Sequence, residues 1–497
     1  MKAKIVLFTL IVWGSSARLL QGQIRSDFVL VPEGVSPQIA FDTQGRLHAT
    51  WAGEGIYYGV FDSVGNVFTT KREISAESFT RTPRLALSEN YLVVTWTGFY
   101  PGAFSSIAGS LIDHVNGHVV GRIGYFPTQF SANSDVRYLD DSRFITVWSG
   151  RGAAPNFLEH GVYGQIVANS LQTTGDTLLF TDDISQQYRQ YSTTRIAKRQ
   201  GDGNTVVTWL ACDSLLIWSV LGRRLTKAGV LLDSTFLVSE NSNYSNACGL
   251  STIMNPDEGY TATWTVRVGD SIWNVYRRQF DVTGLPLGPS QPINEQSISP
   301  FADVEMAGDA DGTQIVVWSE QRNGKAKIVA QRFASNGTPV GTNFLVSVQQ
   351  DTFDQGTPSV TLRNGKIYTA WSVPDTIPGK GTIWANILDF NNPQVGVEPP
   401  PDNAPQSFHL YQNYPNPFNA ATTIKYEVPR RSHVRLVIHN VLGEEIIKLT
   451  DKEMILGSYA QQWDGKDKNG IHVPSGIYLY QLVIEEYRLR KKMILFR

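Results

Sequence analysis

Tyr91-Leu-Val-Val-Thr-Trp96 decides how this chain reads, because it recurs. Phe144-Ile-Thr-Val-Trp148, Thr205-Val-Val-Thr-Trp209, Tyr260-Thr-Ala-Thr-Trp264 and Gln314-Ile-Val-Val-Trp318 follow the same plan, β-branched or aromatic residues closing on tryptophan. With Trp51 and Trp371 the series has seven members, spaced 45, 52, 61, 55, 54 and 53 residues apart. A period of this size marks a repeat architecture, in which each unit buries its apolar face on the next. A short strand precedes the tryptophan strand, as in Pro37-Gln-Ile-Ala-Phe41, Pro83-Arg-Leu-Ala-Leu87 and Pro358-Ser-Val-Thr-Leu362. Asp42-Thr-Gln-Gly45, Asp309-Ala-Asp-Gly312 and Asn364-Gly365 join the two as hairpin turns. A third strand (Ile56-Tyr-Tyr-Gly-Val-Phe61), a glycine turn and a fourth strand (Phe344-Leu-Val-Ser347) complete the unit. Four antiparallel strands per repeat predict β-propeller blades.

The strand count predicts how the ring closes. Phe28-Val-Leu-Val31 reads as a spare fourth strand, and the seventh unit stops after its third strand at Asp389-Phe390. Placing residues 28–31 on the outer edge of blade seven removes an open edge and joins first to last. The expected class is all-β, a seven-bladed β-propeller over 23–390 followed by a small immunoglobulin-like β-sandwich. The recurrent tryptophans read as structural wedges between blades, each burying roughly 200 Å². Trp218, Trp273 and Trp384 lie off that position and are the candidates for exposed contacts.

Composition agrees. Of 497 residues only 18% are charged, while 11% are aromatic, 43 are Gly and 24 are Pro. That suits strands and tight turns, and 41% apolar content excludes general disorder. A net charge of −2 gives no bulk attraction to nucleic acid. Lys2 and Lys4 precede the apolar run Ile5 to Trp13, followed by Gly14-Ser15-Ser16-Ala17. That run is too short to span a bilayer, so residues 1–22 read as a secretory signal peptide. Cleavage near Ala17/Arg18 or Gly22/Gln23 is left open. Export permits a disulfide between Cys212 and Cys248, the two cysteines, and two small buried thiols is the equal alternative.

Residues 391–407 contain three consecutive prolines among polar residues and read as an extended spacer. Beyond them, 408–497 hold short alternating strands such as Thr422-Thr-Ile-Lys-Tyr-Glu-Val428 and Gly476-Ile-Tyr-Leu-Tyr-Gln-Leu482. By charge the two parts differ. The tail carries 13 Lys+Arg against 9 Asp+Glu, net +4, so the remainder is net −6.

This tail resembles the type A C-terminal sorting domain of the type IX secretion system. The resemblance is carried by Leu410-Tyr-Gln-Asn-Tyr-Pro-Asn-Pro-Phe-Asn419, with Asn413, Pro415, Asn416, Pro417 and Phe418 at its centre. Gly443, the block Trp463-Asp-Gly465 with Gly470, Gly476-Ile-Tyr478, and the basic closing strand from Lys491 and Lys492 complete it. Ala420 stands where proline is usual, and His439-Asn440 replaces a common Tyr-Asp pair. The resemblance implies export across the outer membrane by the type IX translocon, removal of the tail by its processing machinery, and release or fixation to surface lipopolysaccharide. It also implies a bacterium of the Bacteroidota or their relatives. The terminal strand, five basic and no acidic residues in the last ten, suits pairing with a receptor by edge addition.

No chemistry stands out in the larger part. There is no phosphate loop, no Gly-x-Ser-x-Gly elbow and no His-Glu-x-x-His pair. The Ser-x-Asp-x-Gly-x-x-x-Trp turn of sialidase-type propellers is missing. His114 and His118 share a turn and lack further ligands in sequence; Asp309-Ala-Asp-Gly312 and Asp464 to Gly470 lack the glutamate of a calcium loop. No cofactor, metal or catalytic residue is therefore assigned. Asp135, Asp303 and Glu305 fall where a channel would be lined and are the carboxylates to watch. The expected cargo is a binding module for an extracellular glycan or protein; the alternative is an enzyme acting on extracellular polysaccharide.

Overall fold

The computed structural model describes residues 27–391, 393 and 408–496, apart from connecting stretches at 63–66, 76–80, 99–104, 152–159, 182–187, 199–203, 233, 241–243, 269–271, 299–301, 323, 348–353, 376–379, 429–431, 455–456 and 485–486. The signal peptide reading and nearly all of the spacer fall outside the described residues. Every described element is a strand.

Seven four-stranded antiparallel units follow one another. Five are separate sheets. Blades two and three share one 23-residue strand, His118–Asp140. Its first part pairs with Ser105–Asp113 as the outer strand of blade two, and its second part pairs with Arg143–Arg151 as the inner strand of blade three. The tryptophan strands are the second in each blade: Leu47–Ala52, Tyr91–Gly98, Arg143–Arg151, Thr205–Asp213, Tyr260–Val268, Gln314–Arg322 and Lys366–Pro374. They are buried on both faces, being flanked in the sheet and sandwiched between blades, so their sequences run apolar almost without alternation.

The ring is visible in the packing. Seven hydrophobic clusters occur in this part of the chain, one between each pair of neighbouring blades, including seven against one. In six of them the recurrent tryptophan reaches back toward the preceding blade: Trp51, Trp96, Trp209, Trp264, Trp318 and Trp371. Trp148 is also buried and stacks on Tyr163 at 6.3 Å, while Tyr138 and Phe144 fill the cluster between blades two and three. Truncating a wedge of this size costs roughly 3–5 kcal/mol.

Phe28–Val31 is the outer strand of blade seven. Phe28 lies opposite Ala385, Val29 opposite Trp384 and Val31 opposite Ile383. The chain then crosses to blade one at Gly34, whose N–H donates to the Gly381 carbonyl at 2.8 Å. Only glycine fits there, because a Cβ would stand 2.4 Å from Trp51 Cδ1.

The inner strands share a bend. Their register slips between Val35 and Gln38, Arg81 and Arg84, Ser192 and Thr194, Ala247 and Leu250, and Gly356 and Ser359. Ser36, Thr82, Thr193 and Thr357 sit at these bulges with φ of 53°, 46°, 41° and 45°. A bulge re-aims the side chains beside it, and here the residue two places on from each of the second and third of these is an arginine, Arg84 or Arg195.

Two expectations are corrected. Cys212 and Cys248 are free thiols. Cys212 Sγ turns to the Asp213 carbonyl at 3.7 Å, while Cys248 Sγ meets Thr265 Oγ1 at 3.0 Å in the next blade. Trp273 is buried in the cluster between blades five and six; only Trp218 and Trp384 of the off-position indoles keep partial exposure.

In the tail a three-stranded sheet (His409–Leu410, Thr422–Val428, Gly457–Trp463) and a four-stranded sheet (Glu445–Met454, Ser432–His439, Gly476–Ile484, Tyr487–Leu495) enclose one core.

Candidate functional site

The three channel carboxylates come together, and arginines meet them. Glu305 Oε1 accepts from Arg84 Nη1 at 2.5 Å and lies 3.5 Å from Arg195 Nη2, while its Oε2 accepts from Ser251 Oγ at 3.3 Å. Asp135 is buried; its carboxylate accepts from Arg137 Nη1 at 3.1 Å and from the Ile196 N–H at 2.9 Å. Asp303 keeps an exposed side chain at the rim of this cluster, and the surrounding protein raises its carboxyl against the pull of Arg195 and Arg84. Burial and the like charge of Arg84 bring Arg195 down to about 10. Arg84, Asp135, Arg195, Ser251 and Glu305 come from blades two to six, so the cluster ties five inner strands together. Three arginines balance three carboxylates. The cavity beside Asp303 and Glu305 holds about 30 Å³, room for a water and not for a sugar ring. This arrangement suits a structural hub.

A second buried cluster escaped sequence reading. His48 Nε2 is 3.0 Å from Asp42 Oδ2, and its Nδ1 is 2.8 Å from Tyr58 Oη. His114 arrives from the turn of blade two, with Nε2 3.1 Å from the Ser88 carbonyl. Ligand atoms of Asp42, His48 and His114 lie within 4.8 Å of one another, a spacing that can hold a metal ion. The place is taken by the Arg46 guanidinium, 2.6 Å from Asp42 Oδ2 and 3.2 Å from His114 Nδ1. Burial opposes the charge on Asp42, but His48 and Arg46 outweigh it and hold the carboxyl down at about 2. Burial drives His48 down to about 4, although Asp42 pulls upward. Folded His48 therefore takes up a proton less readily than the unfolded chain. Its contribution to stability is whole above pH 6.5 and falls as pH drops toward 4. Glu320, buried against Trp318 Nε1 and Arg322 Nε, is pushed up to about 7 by burial and acts in the opposite sense. The difference between variant and parent is thus the readout. Urea unfolding across this range should show that His48→Gln removes about 2–4 kcal/mol of pH dependence. Parallel curves for the two proteins would refute the assignment. No spacing rule brings Asp42, His48 and His114 together, because the histidines sit on different blades.

A cavity of about 570 Å³ lies at the closure seam. Pro32 to Gly34 form one wall, Gly53, Glu54 and Tyr57 a second, and the hairpin residues Val373 to Asp375 and Lys380 to Thr382 a third, with Trp384 bordering it. Tyr57 is half-buried and stacks on Trp51 at 6.1 Å. Trp384 lies cross-strand from Trp371 and is likewise half-buried. Gly53 keeps the wall thin, since a Cβ there would come within 2.9 Å of the Tyr57 ring. Aromatic faces beside acids and exposed backbone suit a polar ligand with flat apolar faces.

In the tail, the sequence motif serves to fasten the last strand. Asn413 is buried; its N–H donates to Tyr480 Oη at 2.9 Å, and its Nδ2 donates to the Pro415 carbonyl and Thr422 Oγ1. The Ile494 N–H donates to Asn416 Oδ1 and the Phe418 N–H to the Ile494 carbonyl, each at 2.9 Å. Pro415 and Pro417 follow cis peptide bonds. Phe418, Trp463 and Tyr478 pack in series, with ring centroids 5.6 and 5.2 Å apart. Gly443, Gly465 and Gly470 turn with φ of 86°, 72° and 77°. Gly476 opens the strand that pairs with the last one, where Lys491 faces Tyr480 and Lys492 faces Leu479. The segment 412–418 therefore already occupies the outer edge of the last strand along Lys492 to Phe496.

Residues 412–496 match the family of the secretion system C-terminal sorting domain. The tail is the sorting domain of a type IX cargo, which marks the chain for export to the cell surface or the medium. No curated protein matches the sequence. Among solved structures it is similar to a protein of unknown function from Dyadobacter fermentans, at 12% identity and TM-score 0.44, over 74% of this chain and 99% of that one. It is similar to a PL25 ulvan lyase at 9% identity and TM-score 0.47, over 73% and 95%. It is similar to the sialidase of Trypanosoma rangeli at 10% identity and TM-score 0.42, over 94% and 88%. Likenesses this distant say nothing of activity.

Proposed function

We propose that this chain is an exported seven-bladed propeller that binds an extracellular glycan in the cavity where blades seven and one meet. In this reading residues 1–22 direct the first membrane crossing, 23–390 form the cargo, 391–407 space it from the tail, and 408–497 are read by the type IX translocon. Removal of the tail by the processing machinery then leaves the cargo released or held at surface lipopolysaccharide. The observation that carries the binding role is the seam cavity of about 570 Å³, with the half-buried aromatic residues Tyr57 and Trp384 at its border. The recurrent tryptophans and the channel arginines are consumed by structure, and a second cavity of about 420 Å³ near Arg137 and Asn255 has no aromatic residue in its lining.

One feature supports hydrolysis or elimination instead: Glu33, Glu54 and Asp375 line the same cavity. A glycan array run beside a product assay separates the two. Binding without product formation supports the module, and Tyr57→Ala or Trp384→Ala should then weaken it about tenfold. Turnover of a bound polysaccharide, abolished by Glu33→Gln or Glu54→Gln, would establish the enzyme.

A further inference from the structure

Arg46 stands among three side chains that are also a set of metal ligands. Asp42 follows strand Val35–Phe41 and His48 lies on strand Leu47–Ala52, both in blade one, while His114 follows strand Ser105–Asp113 of blade two. All three are buried, and the His48 and His114 rings meet edge to face at 5.0 Å. The outer nitrogen of each ring is already engaged. His114 Nε2 lies 3.1 Å from the Ser88 carbonyl, which can only accept, so Nε2 carries the proton and the Nδ1 lone pair turns to Arg46 Nη2 at 3.2 Å. His48 Nδ1 meets Tyr58 Oη at 2.8 Å. A hydroxyl serves either tautomer, so Nε2 is able to present a lone pair beside Asp42 Oδ2. A carbonyl and a hydroxyl behind two imidazoles are the outer partners that orient histidines on a metal ion.

The carboxylate does not depend on the guanidinium for its place. The Arg46 N–H donates to Asp42 Oδ1 at 2.8 Å, and Arg363 Nη1 donates to the Asp42 carbonyl at 2.7 Å. The Arg46 side chain is 21% exposed, so its head has a way out to solvent. Its departure frees Asp42 Oδ2, His48 Nε2 and His114 Nδ1 together. Around a tetrahedral ion the ligand atoms stand about 3.3 Å apart. Asp42 Oδ2 and His48 Nε2 are already 3.0 Å apart, and all three ligand atoms lie within 4.8 Å of one another. His114 therefore closes in by at most about 1.5 Å, from a position where the chain enters the exposed residues Val115 and Asn116.

We infer that Asp42, His48 and His114 form a binding site for a zinc-class divalent cation, with Arg46 as its gate. The ion displaces the guanidinium, and its coordination ties blade one to blade two, with water as the fourth ligand. Two imidazoles and one carboxylate suit zinc, cobalt or nickel, whereas calcium and magnesium take oxygen ligands. No proton enters or leaves: His48 exchanges an Nε2 proton for one on Nδ1, and Arg46 swings out protonated.

The test is titration of the metal-free full chain with cobalt(II), followed by visible absorption, and then back-titration with zinc. One cobalt ion should bind per chain and be displaced by zinc but not by calcium. Zinc should also raise the melting temperature by a few degrees. His114→Gln, in a turn, should weaken binding at least about tenfold. Arg46→Ala should tighten it about tenfold to a hundredfold, because the ion no longer breaks charged hydrogen bonds to enter. No binding up to about 1 mM cobalt would overturn the inference. So would binding that His114→Gln leaves unchanged, since the ion would then sit elsewhere. Binding confined to Arg46→Ala would overturn it as well, by making the guanidinium a permanent occupant. The unsubstituted chain and His114→Gln decide the matter even where Arg46→Ala fails to fold.

Discussion

A chain ended after residue 407 should accumulate in the periplasm and vanish from the cell surface and the medium. This is the largest effect expected of any single change, because it removes the whole sorting domain and leaves the cargo intact. The tail folds around its own core, from Leu410 to Leu495, and none of the seven blade clusters draws a residue from it. Fractionation with an antibody against the cargo reads the result, and undiminished surface delivery would sink the assignment. A milder change sharpens it. Asn413→Ala leaves the Tyr480 hydroxyl bond to the backbone but takes one bond from the Pro415 carbonyl and one from the buried Thr422 hydroxyl. Loss of hydrogen bonds to buried groups costs roughly 1–3 kcal/mol each. A small domain tolerates little of that, so export should fall in step with the tail's melting temperature. If delivery fell while the tail stayed folded, Asn413 would be part of the recognised surface itself. The fastening of Asn416 and Phe418 onto Ile494 also limits where a receptor strand can add. Arg488 and Arg490 lie outside that fastening, so charge reversal there should impair export more than reversal at Lys492.

Much of the architecture was legible because one physical demand repeats. Every blade needs a large apolar side chain toward the blade before it, and tryptophan at a fixed strand position answers that demand six times in the same way. Counting strands then sufficed to place Phe28–Val31, since an unpaired edge at either end of the ring is costly. The sites were less legible, because they are made between repeats. Asp135, Asp303 and Glu305 could be placed at the axis from strand position, yet nothing in their neighbours announces Arg84 and Arg195, which lie 221 and 110 residues from Glu305. Those arginines turn a set of candidate catalytic acids into a neutral hub. The cluster of Asp42, His48 and His114 was hidden for the same reason, and the turn holding His114 read as only a turn. Trp384 was singled out for leaving the repeat, and it borders the seam cavity. Trp273 was singled out by the same rule and is buried, so departure from a repeat position does not by itself predict exposure.

Removing residues 23–34 should lower the melting temperature of the cargo by about 10 °C and make it prone to associate. The segment supplies the fourth strand of blade seven and buries Leu30 and Val31 in the cluster between blades seven and one. Burial of two such side chains contributes roughly 3–6 kcal/mol. Further loss comes from the hydrogen bond between Asp27 Oδ1 and Asn386 Nδ2 at 3.0 Å and from the backbone bond between Gly34 and Gly381. Against a total stability of about 5–15 kcal/mol that is a large share, and a few degrees per kcal/mol gives the stated shift. Deletion also bares the backbone edge of Gly381–Asp389, which invites a strand from a second molecule. That exposure supplies a stricter test than heat alone. A synthetic peptide spanning residues 27–34 should add to the vacant edge and restore part of the lost melting temperature, as strand donation does elsewhere. A peptide with Leu30 and Val31 changed to serine should not, since the backbone bonds would form without the apolar anchor. An unchanged melting temperature on deletion would mean that the contacts among the seven blades hold the ring without its closing strand. Recovery with the serine peptide would assign the effect to backbone pairing alone.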